Sequence, residues 1–411
     1  MSAEAADRAS PADALRRAGA GWLAQALAEV RVRTLALFEA WRAVLPPGMD
    51  VRYAAELNPP RWELGHVAWF EERWLARNPQ RLCGDAADPA APLAAPALPH
   101  ADALYDSSTV AHTRRWHLDL PDADRTLRYA ARVRERTLDL LAHLPAHLRD
   151  DDAALYFFRW ALAHEAMHAE AAVYMAQHLA LPLGAALPRP GPAPGPAGEV
   201  DCAGGDLVLG HDGPGFHFDN EGGRLALTLA PFRIDRAPVS WARYRGFVDD
   251  GGYDDARWWT EAGWAWRQRE GTGRPRHLVQ EDGVWQRAAF GQWVPMTDDE
   301  PVMHLTRHEA EAWCRWAGRR LPTEGEWQWA ATRAEGFAWG EVWEWTASAF
   351  EPWPGFRPHP YRDYSQPWFD GRPVLRGASF ATLPCMAHPH YRNYFPADRN
   401  DLFAGFRSCA A

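Results

Sequence analysis

His164 and His168 stand four residues apart in Leu155-Tyr-Phe-Phe-Arg-Trp-Ala-Leu-Ala-His-Glu-Ala-Met-His-Ala-Glu-Ala-Ala-Val-Tyr-Met. That stretch holds no Pro or Gly and is rich in Ala, Leu and Met, which predicts a helix. On a helix, residues i and i+4 share one face a turn apart, so the two imidazoles can reach one point. Two imidazoles so placed are a common way to hold a divalent transition metal. Glu170 comes two residues later, about 200° further round, and is aimed elsewhere. It suits a supporting role behind the ligands or a helix-pairing role. An isolated HxxxH pair is more often two half-buried histidines than a metal site, so the rest of the chain has to decide.

Four helices have to position these groups. Pro11 to Leu45 reads as one long amphipathic helix, ended by Pro46-Pro47-Gly48. A second helix, from about Arg61 to Ala76, follows Asn58-Pro59-Pro60 and carries His66. After a Pro- and Ala-rich passage, a third runs from about Asp122 to Leu144, with Asp122 and Asp124 as cap candidates. The fourth, about Asp151 to Leu181, carries the HxxxHxE stretch. Together these predict an antiparallel bundle over residues 12–181, whose core is a usual place for a metal built from facing helices. Residues 182–198 are a Pro/Gly linker, and the texture then changes to short strand-like runs, glycines and tryptophans over residues 199–411. Asp206-Leu-Val-Leu-Gly and the run 225–235 read as strands, Ser240 to Asp249 and Thr306 to Ala317 as helices.

The 411 residues are enough for two domains with separate cores. A net charge of −10 without a Lys/Arg-rich run argues against nucleic acid or an anionic membrane surface. No apolar run approaches the roughly 18 residues that span a bilayer, and the leader lacks a secretory signal. Cys83, Cys202, Cys314, Cys385 and Cys409 are an odd set with no CxxC pair, which reads as free thiols in a reducing cytoplasm.

The bundle resembles the DinB-type helical domain, in which three histidines bind a metal. The second half resembles the formylglycine-generating-enzyme-like domain, an α+β, C-type-lectin-like fold. The matching stretches are Gly204-Gly-Asp-Leu-Val-Leu-Gly, Phe218-Asp-Asn-Glu, Pro238-Val-Ser-Trp-Ala-Arg-Tyr-Arg-Gly-Phe, Gly251-Gly-Tyr, Pro301-Val, Arg320-Leu-Pro-Thr-Glu-Gly-Glu-Trp-Gln-Trp-Ala, Val342-Trp-Glu-Trp-Thr, Leu375-Arg-Gly-Ala-Ser-Phe and Phe403-Ala-Gly-Phe-Arg. In this order, the two domains resemble the ergothioneine-biosynthesis sulfoxide synthases. Those non-haem iron enzymes use O2 to join a chalcogen donor to the imidazole C2 of hercynine (N-α-trimethylhistidine). The resemblance implies Fe(II) held by His66, His164 and His168, with O2 as co-substrate. Glu63, three residues before His66 and on its face, is a rival carboxylate ligand.

Three departures bear on the reaction. The family's oxygen-activating tyrosine matches Phe350 here, and a second family tyrosine matches Trp353. Phe carries no acidic proton, so the acid is elsewhere, is water or is not needed; Tyr361 and Tyr364 are nearby candidates. In Tyr391-Arg-Asn-Tyr-Phe, the family's Asp for the amino group of γ-glutamylcysteine is Phe395. The family's Gln before the second motif histidine is Met167. Asn393 and Tyr394 match the hercynine-contacting pair, with Trp353 and Tyr394 candidates for a cation–π wall against its quaternary ammonium. Arg114 and Arg115 lie where the family places basic donor-binding residues.

A retained hercynine half beside a rebuilt donor half fits the selenoneine synthase branch, which uses a selenosugar donor. The alternative is a sulfoxide synthase using cysteine or γ-glutamylcysteine. Readings of other classes are a zinc-dependent DinB-type thiol transferase and a non-catalytic lectin-like binding protein. The expected partners are small molecules, hercynine and a selenol or thiol donor.

Overall fold

The computed structural model describes residues 10–188, 190–191, 198–211 and 213–411. The 182–198 linker therefore lies partly outside the described residues.

The helical half contains α1 (Pro11–Arg17), α2 (Ala20–Val44), α3 (Pro60–Trp74), the short α4 (Ala101–Tyr105), α5 (Ala123–Ala142) and α6 (Asp152–His178). The single helix expected from Pro11 to Leu45 is in fact two. Ala18 is extended at φ −70° and ψ 152°, and a Cβ on Gly19 would come within 1.9 Å of Asp150 Oδ1. Glycine lets the α5–α6 loop pack closely there, and Ala20 N–H donates to Arg149 O at 2.8 Å. Local sequence supplies the other boundaries. Pro60 opens α3, where its missing N–H costs nothing. Asp122 and Asp151 cap α5 and α6 by accepting from Arg125 N–H and Ala154 N–H, at 2.7 and 2.8 Å.

The second half begins with β1 (Glu199–Cys202), β2 (Gly205–Leu209), β3 (Leu225–Leu229) and β4 (Phe232–Asp235). The run 225–235 is two strands, not one, because Pro231 has no N–H to continue a ladder. So β3 pairs with β2 while β4 pairs with β1. There follow α7 (Trp241–Asp249), α8 (Glu261–Glu270), the meander β5 (Leu278–Glu281), β6 (Val284–Ala289) and β7 (Gln292–Pro295), then α9 (Arg307–Trp316). The chain closes with β8 (Arg319–Arg320), α10 (Glu324–Arg333), β9 (Trp343–Ala349), β10 (Pro373–Gly377), β11 (Asn393–Tyr394), β12 (Ala404–Gly405) and β13 (Cys409–Ala410). The four-stranded sheets run β1-β4-β13-β8 and β11-β10-β9-β12.

One apolar core continues from the bundle into the second half, with Trp160 of α6 against Phe218 at 5.1 Å between ring centres. Buried polar ties help fix the junction. Arg16 of α1 pairs with Glu221 at 2.7 Å, and Glu170 of α6 reaches across to Trp343, Ser379 and Thr382.

A buried acid makes stability depend on pH. Glu309 closes the capping box of α9 by accepting from Thr306 N–H at 2.8 Å, and it also accepts from Tyr253 Oη at 2.6 Å. Burial pushes its carboxyl from 4.5 up to about 7. The folded state then binds the proton more tightly than the unfolded chain, so stability falls as pH rises from 4.5 to about 7. Glu309→Gln keeps the capping box and is expected to remove this slope, worth at most about 3 kcal/mol. Urea midpoints of both proteins across that window check it.

Candidate metal centre

His66 projects from α3, His164 and His168 from α6, and their ligand atoms all lie within 4.8 Å of one another. Ring centres are 5.0, 4.9 and 4.5 Å apart. Each ring is held from behind. His66 stacks on Trp62 at 4.6 Å and sets its Nδ1 2.8 Å from the Tyr105 carbonyl. His168 Nδ1 stands 2.5 Å from Glu63 Oε2. His164 lies flat on Phe70 at 3.7 Å, and its buried Nδ1 has no hydrogen-bond partner.

A carbonyl can only accept, so His66 Nδ1 carries the proton and the Nε2 lone pair is free. The Glu63 carboxylate fixes the same tautomer in His168. Burial pushes His66 down to about 3 and His164 well below its ordinary range. Both are thus neutral, the form that binds metal. Convergent lone pairs and an orphaned buried nitrogen fit a borderline divalent ion such as Fe(II). Two bonds of about 2.1 Å span at most about 4.2 Å, so the widest pair closes slightly when an ion seats.

Glu63, expected as a rival ligand, takes the supporting place behind the histidines, and Glu170 ties α6 to the second half. Glu63 faces His168 Nδ1 with one oxygen and accepts from Asn58 Nδ2 at 2.6 Å with the other, so it orients a ligand. Glu170 touches none of the three histidines; its carboxylate accepts from Trp343 Nε1, Ser379 Oγ and Thr382 Oγ1 at 2.6–2.8 Å. Glu63→Gln keeps an acceptor for His168 but loses the charge behind it. Its affinity for Fe(II) is expected to fall about 10- to 100-fold, read by competition with a calibrated chelator.

A cavity opens between the halves, lined by Met167, Glu170 and Tyr174 of α6 and by Tyr391, Asn393 and Phe395, among others. Asn393 and Phe395 share its wall, while Tyr394 leaves it: alternate residues of an extended strand face opposite ways. Tyr394 instead stacks on Phe350 at 3.9 Å, and Phe350 is fully buried. Trp353 offers no free face either, because Arg392 lies 4.1 Å above its ring in the smaller core. Phe350, Trp353 and Tyr394 do not line this cavity.

Tyr361 is the phenol that meets the triad, 6.4 Å from His164 and edge-on to Phe70 at 5.0 Å between ring centres. Tyr364 is one step removed; its hydroxyl donates to Tyr391 Oη at 3.1 Å, and Tyr391 Oη lies 3.4 Å from Met167 Sδ. Arg115 caps Trp62 at 4.0 Å and donates to Asn58 Oδ1 at 2.8 Å, leaving a buried Nε without a partner. Arg114 is exposed. Cys83, Cys202, Cys314, Cys385 and Cys409 are free thiols.

Comparison with known proteins adds to this geometry. Residues 26–172 match the DinB superfamily, and 185–341 with 337–411 match the sulfatase-modifying factor enzyme 1-like domain. Over 94% of this chain and 97% of theirs, it is 36% identical to hercynine oxygenase of Mycolicibacterium smegmatis and 35% identical to that of Mycobacterium tuberculosis. Formylglycine-generating enzyme of Streptomyces coelicolor is 31% identical, over 40% of this chain and 58% of its own.

Proposed function

The chain belongs to the hercynine oxygenase family, and from that premise we propose that it is an O2-dependent non-haem iron(II) enzyme forming a carbon–chalcogen bond at imidazole C2 of hercynine. The observation that carries this reading is the convergence of His66, His164 and His168, from two separate helices, on one point. Iron held there would supply open positions for O2, the hercynine imidazole and a soft chalcogen anion.

The chain's own groups divide the remaining work. Asn393 presents a carboxamide to the cavity for the substrate imidazole, and Tyr391, Trp343 and Phe395 supply aromatic surface for its quaternary ammonium. Tyr361 lies 6.4 Å from His164 between ring centres, and burial pushes its phenol up to about 12, so it holds its proton. It is the acid in place of the hydroxyl that Phe350 lacks.

The donor we favour is a selenosugar. An amino-acid donor brings an ammonium that needs a carboxylate, and the position for one is Phe395. Glu170, the acid in the cavity wall, is committed to three donors of its own. One observation favours the cysteine or γ-glutamylcysteine alternative: the unpartnered Nε of Arg115 suits a carboxylate.

The deciding experiment loads the protein anaerobically with Fe(II) and hercynine, admits air with a selenosugar, cysteine or γ-glutamylcysteine, and reads product mass. A selenium-bearing product formed in preference supports the favoured branch; a sulfoxide from either thiol replaces it. Absence of hercynine-dependent O2 uptake would return the protein to a zinc-dependent transferase or a binding module.

A further inference from the structure

Tyr156, Trp160, His164 and His168 stand at i, i+4, i+8 and i+12 of α6, so they form one stripe along a helix face, about 6 Å of rise per step. The stripe is continuous. Trp160 Nε1 donates to Tyr156 Oη at 2.9 Å. Tyr361 bridges Trp160 and His164 at 5.5 and 6.4 Å between ring centres. At the far end, Tyr156 Oη stands 2.9 Å from His359 Nδ1.

An indole N–H can only donate, so the Tyr156 oxygen accepts from Trp160, and its own proton is placed to go to His359 Nδ1 in the tautomer that leaves that nitrogen bare. Both residues are buried. Burial holds His359 down at about 4, neutral, and holds the Tyr156 phenol well above its ordinary range, also neutral. Beyond His359, His217 and His211 continue toward the surface, with ring centres 5.2 and 4.6 Å apart in turn.

A buried neutral phenol can give up an electron only if its proton leaves too, because burial penalises the cation that would remain. Tyr156 has an acceptor for that proton at hydrogen-bond distance and a tryptophan leading to the triad. Tyrosine and tryptophan are readily oxidised side chains. Resting on the reading of the triad as an O2-using iron centre, we propose that this stripe drains oxidising equivalents when O2 reacts without organic substrate. Iron held at the triad would supply the oxidant with O2; Tyr156 would then give up one electron through Trp160 and Tyr361, and its proton would pass to His359 Nδ1. The oxidant gains one electron; a neutral tyrosyl radical and an imidazolium remain. A small thiolate supplies the returning electron and leaves as a thiyl radical, and His359 gives the proton back.

The test exposes the ferrous-loaded full chain to O2 with no hercynine or donor, then freezes it for electron paramagnetic resonance while iron content and loss of Fe(II) are measured. The wild type is expected to show a tyrosyl radical that Tyr156→Phe loses at unchanged iron content. His359→Gln, which keeps the phenol, is expected to weaken the signal and shift its g-values. Met167 sulfoxide, read by mass spectrometry, should rise in Tyr156→Phe. A radical of undiminished yield in Tyr156→Phe, or ferrous iron oxidised in the wild type without any radical, overturns the proposal alone. A protein that takes up no iron, or whose iron does not react with O2, overturns the proposal together with the reading of the site.

Discussion

Substituting His66 with alanine is expected to leave the protein folded but without iron, and to lower hercynine-dependent O2 consumption far beyond the roughly 100-fold typical of losing an outer partner. The reason lies in how the triad is divided. α6 supplies two imidazoles from successive turns, and α3 supplies one. Without His66, the remaining pair sits on one helix with nothing opposite, and two imidazoles hold a labile ferrous ion weakly. The tryptophans that flank His66 keep their places, since Trp62 Nε1 donates to Leu104 O at 2.8 Å and Trp69 Nε1 to Asp102 at 2.7 Å. Far-UV circular dichroism should therefore be unchanged while iron per chain falls toward zero. His112→Ala is the control: His112 faces the Leu57 carbonyl at 2.8 Å, outside the triad, and its loss should leave iron bound. A His66→Ala protein that still carries one iron per chain would sink the assignment.

Much of this site was legible in the sequence because its decisive spacings are short-range. The i, i+4 pair, the Asn-Pro-Pro break before α3 and the aspartate caps all act within one helical turn. What was not legible depends on how one element lies against another. Helical angles correctly turned Glu170 away from the triad, yet its partners Trp343, Ser379 and Thr382 lie about two hundred residues downstream. Glu63 shares a face with His66, but its carboxylate turns across the bundle to His168, which the period of one helix cannot reveal. Asn393 and Tyr394 read as a pair, and strand alternation separates them. The break between α1 and α2 rests on the close approach of the α5–α6 loop to Gly19, which no pattern within residues 11–45 reveals.

Glu165→Leu is expected to cost about 3–5 kcal/mol of stability, the penalty for leaving a buried charge without its partner. Each of the four long helices contributes one charge to a closed square: Arg31 from α2, Glu71 from α3, Arg134 from α5 and Glu165 from α6. Arg31 meets Glu165 at 2.7 Å and Glu71 at 2.8 Å, and Arg134 meets both acids from the other side. All four side chains are at least 93% buried, so water cannot replace a missing partner. Removing Glu165 strands two guanidiniums against one carboxylate. Removing Arg31 as well restores neutrality, so the Arg31→Leu/Glu165→Leu pair should cost clearly less than the sum of the single changes. Against the upward push of burial, Arg31 and Arg134 hold Glu165 down to about 2 from 4.5, so its share of stability is present above pH 4.5 and lost as pH falls toward 2. The same square sets the triad, because Glu165 is the residue after His164 and Glu71 the residue after Phe70, on which His164 lies. Rotating α6 to relieve the stranded charges would move His164 and His168 together away from His66. Glu165→Leu should accordingly weaken iron binding at temperatures where the chain is still folded. A urea midpoint within about 1 kcal/mol of wild type, with iron affinity intact, would show that apolar packing alone orients the helices that carry the site.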